Sequence, residues 1–247
     1  MSQLRLGAIW RPALLALTVG AMLAAAPGAR PGGSAEAAPP EPVDLLFATP
    51  HLGNAKPGAV IGYAHTRRTA HPQRLGADFD RRITVATGTE ADPATRIVLD
   101  AEGTPRHLDP FRGVPGNPLL MVFLENTVRA VSQATGGSPF YLRNRIREAL
   151  GDRLSSQPMI LAAGNARLPA RSLSVRPFEG DENAERMGPF ASIELRFVVA
   201  EAAPGMLVAM TADVGPRIDP QTGATTGAGS ATGEPIYFEE IRLDPKP

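Results

Sequence analysis

The chain contains no cysteine, and that absence removes disulfides, thiol catalysis, Cys-ligated zinc and iron–sulfur chemistry. Stability must then come from a packed core. Tryptophan occurs once, at Trp10, inside a segment read below as a removable address, so the mature chain has no indole platform for stacking sugars. Lysine is almost missing: Lys56 and Lys246 are the only two, and nearly every positive charge is a guanidinium. Neither sign of charge prevails, with Lys+Arg 25 and Asp+Glu 25. No apolar run reaches the roughly 20 residues a helix needs to cross a hydrocarbon core.

What is there begins with an address. Arg5 and Arg11 precede the apolar run Ala13 to Ala26, and Ala35-Glu36-Ala37 supplies small residues where a signal peptidase reads. Residues 1–37 are expected to be a secretory signal peptide, cleaved between Ala37 and Ala38. The expected location is the periplasm, with no membrane span after cleavage and no cysteine to lipidate. Removing Arg5, Arg11, Arg30 and Glu36 leaves 22 basic and 24 acidic residues, a net charge of about −2. No general attraction to nucleic acid follows from that balance.

About 210 residues remain, enough for one domain with a full interior. The proline-rich lead 38–42 lacks N–H donors for a ladder. Short β-rich runs are read at Val43 to Ala48, Ala59 to Thr66, Phe79 to Ala86 and Thr95 to Asp100, each bounded by turn residues. In the third, Phe79, Arg81, Ile83 and Val85 share one face, with Arg81 as its exception.

The period changes at Asn117-Pro118, a helix start with a capping side chain and a proline where the missing N–H costs nothing. Leu120, Phe123, Leu124, Thr127, Val128, Val131 and Ala134 fill one arc, and Glu125, Asn126, Arg129, Ser132 and Gln133 the other. Gly136-Gly137 should stop this helix, and Ser138-Pro139 should start a second running to about Leu150. The pair makes a helical hairpin over 118–150. Strand signals return at Met159 to Ala163, Leu173 to Phe178, Ser192 to Ala202, Leu207 to Asp213 and Ile236 to Leu243. Between the last two, residues 215–234 are rich in Gly, Thr, Ala and Ser and are expected to form a mobile loop. The expectation is a single α+β domain over 43–247: a curved antiparallel sheet of about 8–10 strands carrying the hairpin on one face.

The most signature-like stretch is Thr135 to Arg147. Leu142, Ile146, Ala149 and Leu150 form its buried stripe, with Arg143 and Arg147 on one margin and Arg145 on the other. Three charges on two margins are most simply stems covering a core edge; the functional alternative is a ligand or partner site at Tyr141, Arg143 and Arg147. Glu125 and Arg129, four apart, read as a helix ion pair.

Gly116-Asn117-Pro118-Leu119-Leu120-Met121, Phe123-Leu124-Glu125, Thr135-Gly136-Gly137 and Tyr141 to Arg147 together resemble a run found in exported proteobacterial proteins of no known activity. Pro50-His51-Leu52 and Gly62-Tyr63 are weaker echoes. The resemblance implies a periplasmic location and carries no functional residue. In architecture alone, the expected fold is similar to LolA-like lipoprotein carriers.

His51, His65, His71 and His107 all fall in the first half, near Asp78, Asp80 and Asp109, but their spacings match no short metal motif. No nucleophile elbow, phosphate loop or cofactor motif is present, so catalytic residues, metal and cofactor are expected to be none. The leading expectation is a non-catalytic binding protein for a lipid, lipoprotein or envelope protein. One alternative is a metal-dependent hydrolase using those histidines. Another is an assembly protein presenting the hairpin to a partner.

Overall fold

Local signals set where most elements begin, and the computed structural model describes residues 40–101, 103–163, 166–215, 217–218, 225–226 and 235–244. The expected signal segment 1–37, its cleavage site and most of the 215–234 loop lie outside the described residues. In chain order the elements are α1 (Pro42–Phe47), β1 (Val60–Thr69), α2 (Pro72–Leu75), β2 (Phe79–Ala86), β3 (Arg96–Ala101) and β4 (Thr104–His107). The hairpin helices α3 (Leu119–Thr135) and α4 (Pro139–Asp152) follow. Then come β5 (Ser155–Ala163), β6 (Ala166–Val175), α5 (Ala184–Met187), β7 (Glu194–Val199), β8 (Leu207–Val214), β9 (Arg217–Ile218), β10 (Thr225–Thr226) and β11 (Tyr237–Leu243). Short 3-10 turns stand at His51–Asn54 and Gly188–Ser192.

Nine of the described strands form one curved, open antiparallel sheet in the order β4-β3-β2-β1-β11-β8-β7-β6-β5. Two four-strand meanders, β1 to β4 and β5 to β8, are joined through β11 at the centre. The hairpin links β4 at one edge to β5 at the other, so it must cross a face roughly 38 Å wide at the usual strand spacing. An α-helix of 17 residues covers about 25 Å of such a crossing. The small ribbon β9–β10 stands apart from the large sheet.

The hairpin follows its local signals. Asn117 Oδ1 accepts the Leu119 N–H at 3.1 Å, and Gly136 takes φ 71° with its N–H donating to the Ser132 carbonyl. A left-handed residue there favours glycine, which lacks the Cβ that would clash. Ser138 precedes Pro139 without making a side-chain cap bond.

The expected strand at Val43 to Ala48 is a helix instead. Pro42 stands in its first turn with φ already helical, Asp44 favours the positive end of the helix, and adjacent Leu45 and Leu46 are both buried. Neighbours on a strand point to opposite faces, whereas neighbours on a short helix can share one wide buried side.

The core lies between sheet and hairpin. Ile61, Tyr63, Ile83, Leu173, Leu195, Phe197, Met210, Tyr237 and Ile241 meet Leu120, Phe123, Val131, Leu142 and Ile146. Phe123 and Phe197 pack edge to face at 5.8 Å between centroids, a geometry that sets a positive ring edge against a negative ring face. On β2 the expected alternation holds: Ile83 and Val85 are buried, and Arg81 is exposed at the start of the strand.

Candidate functional site

Of the three residues singled out in the hairpin, Tyr141 lies on a different side of α4 from Arg143 and Arg147. Tyr141 donates its hydroxyl to Asp181, 2.7 Å from Oδ1 and 2.9 Å from Oδ2. Arg145 Nε reaches the same carboxylate at 2.7 Å, and the Asn183 N–H at 2.8 Å. Burial raises the Asp181 pKa, but these donors outweigh it and hold the carboxyl below its ordinary range. Arg143 instead clamps Glu125 on α3 through two bonds of 2.7 and 3.0 Å, displacing the expected Glu125–Arg129 pairing. Arg147 is exposed and makes no ion pair among the described residues.

The histidines do not converge. His51 is fully buried; the Asn117 main-chain N–H donates to its Nδ1 at 3.1 Å, so Nε2 carries the hydrogen and donates to the Leu45 carbonyl at 2.6 Å. Asn117 Nδ2 also donates to Tyr63 Oη at 3.0 Å, which ties α1, β1 and the start of α3 together. His71 precedes α2, and His107 lies exposed on β4. Among the described residues no group of three His, Asp or Glu side chains could hold a metal ion.

His65 belongs to a network the sequence reading passed over. On the helix-facing side of the sheet, His65 Nε2 lies 2.8 Å from Glu239 Oε1, and Asn126 Nδ2 on α3 donates to that oxygen at 3.0 Å. Tyr237 donates its hydroxyl to Glu239 Oε2. Glu239 is 2% exposed, His65 6% and Tyr237 0%. Burial pushes the Glu239 carboxyl up, yet the bonds from His65, Tyr237 and Asn126 leave it below its ordinary range. Burial and the adjacent carboxylate push the Tyr237 phenol far above its own.

Beside this network, Phe79 packs edge to face on His65, with ring centroids 4.8 Å apart. The Arg67 guanidinium carbon stands 4.5 Å from the Phe79 centroid and that of Arg81 3.9 Å. A signal for this site was readable: Tyr237, Glu239 and Ile241 alternate onto one face, which makes Glu239 a carboxylate on an apolar stripe. Nothing in β11 alone names His65 or Asn126 as its partners, because those contacts span separations of 174 and 113 residues.

Clefts lie at the periphery of the fold. One of about 220 Å³ is lined by Gly136, Gly137, Ser138, Tyr141, Asn183 and Arg186 at the turn of the hairpin. A second of about 240 Å³ lies between α2 and the 184–190 segment, and a shallow one of about 460 Å³ lies near Leu52, Thr87 and Pro93. Set against known proteins, the chain matches no family model, no curated protein and no solved structure.

Proposed function

We propose that this chain is an exported, periplasmic, non-catalytic binding protein that engages an envelope protein through the outward side of α4. The observation that carries the reading is Phe140. It is 71% exposed, the most exposed large apolar side chain among the described residues, and stands at the hairpin turn beside the 220 Å³ cleft. Arg143 and Arg147 follow it at helical spacing on the same side of α4. An exposed aromatic flanked by arginines is the composition that interface centres favour.

The buried His65–Glu239–Tyr237 network argues for a framework role rather than turnover, since its carboxylate oxygens are already taken by protein donors. The lipid-carrier version is the weaker one, because the described clefts open at the surface and not between sheet and hairpin. Photocrosslinking in the periplasm tests the proposal. A benzophenone residue at position 140 or 147 is expected to capture one protein, while one at exposed Glu201 captures none. Equal labelling at all three positions overturns it. N-terminal sequencing of the periplasmic form should begin at Ala38.

A further inference from the structure

We infer that Arg67 and Arg81, with Phe79 between their strands' ends and His65 behind it, form a binding site for a phosphate group, as a monoester or diester. This site is independent of the outward side of α4.

Arg67 stands directly opposite Glu239 in the β1–β11 ladder, yet makes no ion pair with it. The guanidinium turns instead toward the Phe79 ring and donates one N–H to the Ala77 carbonyl at 3.0 Å. Its Nε is the one fully buried side-chain nitrogen or oxygen without a hydrogen-bond partner among the described residues. A sealed donor with no acceptor is unfavourable, and an acceptor is what an anion would bring. Arg81 is exposed and stacks on the same ring, with no carboxylate partner among the described residues. His65 likewise gives its Nδ1 no partner there.

The acids nearby are engaged elsewhere. Glu239 is taken by His65, Asn126 and Tyr237, Asp80 pairs with Arg68, and Asp78 accepts the Thr69 N–H. Two guanidiniums around one ring therefore make no ion pair among the described residues. One carboxylate can be satisfied by a single guanidinium fork, whereas a phosphate spreads its oxygens tetrahedrally: a monoester has charge enough for two guanidiniums, and a diester offers each of them one non-bridging oxygen. Approach is open as well: β3 pairs with β2 only from Arg82 onward, so no described strand flanks Arg81 on that side. Arg81 can swing from the ring and admit an oxygen toward Arg67.

The test is a titration of the mature chain with inorganic phosphate, read on the arginine Nε–Hε resonances against sodium chloride of equal ionic strength. The Arg67 and Arg81 signals are expected to shift saturably. Arg81→Ala should weaken binding at least tenfold, and Arg81→Lys, which keeps the charge and loses the fork, by a smaller factor. Vesicles of phosphatidylglycerol, compared with phosphatidylcholine, separate the sources. Binding to the former that phosphate competes away assigns a lipid headgroup, and phosphate binding without vesicle binding assigns a soluble ester. Absence of a saturable shift overturns the site, as does a shift that survives Arg81→Ala. A lower melting temperature in Arg81→Ala with phosphate binding unchanged also overturns it, leaving the two arginines as a cover for Phe79.

Discussion

His65 and Glu239 meet diagonally across β1 and β11, Nε2 2.8 Å from Oε1, although the ladder sets His65 opposite Ile241 and Glu239 opposite Arg67. The long side chains lean along the strands to pair with the diagonal neighbour, a reach that aromatic and long residues have in a twisted sheet. The imidazole and the carboxylate satisfy one another beneath α3, where water does not.

Glu239→Gln should therefore be costly despite its equal size. One carboxamide cannot accept from His65, Asn126 and Tyr237 together, and a buried donor is left facing another donor. A loss of about 2–4 kcal/mol is expected from urea denaturation at pH 7. Because the folded carboxyl is held below its ordinary range, the unfolded chain binds more protons in acid. Wild-type stability is then full above the ordinary glutamate range and falls as pH drops through the folded value. The variant should show a flatter acid limb.

His51 gives a second acid-sensitive point at higher pH. Burial, opposed by the bond to the Leu45 carbonyl, lowers its pKa from the ordinary value of 6.5. The unfolded histidine takes up a proton first, so stability is full above about pH 6.5 and declines below it. Denaturation midpoints at pH 7.5 and 5.5 should differ in the wild type. The difference should shrink in His51→Gln.

Asp181 and Arg143 separate a buried charge from a solvated one. The Asp181 side chain is 0% exposed, and Asp181→Ala strands Tyr141, Arg145 and the Asn183 N–H, at an expected cost of about 2–4 kcal/mol. Arg143 and Glu125 are half exposed, where water and salt screen the pair. Arg143→Ala should leave the melting temperature nearly unchanged.

Two glycines make a matched pair. A Cβ on Gly116 would sit 2.9 Å from the Leu46 carbonyl oxygen, a main-chain atom that cannot step aside. Gly116→Ala should cost about 1–3 kcal/mol. A Cβ on Gly151, within α4, would meet nothing within 4 Å, and Gly151→Ala should add about 0.5–1 kcal/mol through helix propensity. Thermal melts of the two variants should shift in opposite directions.

The parts of the fold legible in the chain were those whose cause is local. Apolar residues three and four apart marked α3, Gly136 marked its end, alternation at Phe79 to Ala86 marked β2, and the β-rich run Ile236 to Leu243 marked β11. The reading failed at Val43 to Ala48, where five apolar residues in six suited either period and Pro42 decided for helix. It also assigned Glu125 to Arg129, the neighbour on its own helix, and α4 placed Arg143 closer.

The sequence by itself determined the cysteine-free core, the helical hairpin and the presence of strands before and after it, because propensity, capping and periodicity act within a few residues. Only the tertiary structure decided that β11 lies between β1 and β8. That placement brings Glu239 against His65 and Asn126, and leaves Arg67 turned to Phe79. Pairing across more than a hundred residues depends on strand order and on which side chains share a buried face, and neither is written in any short stretch of chain.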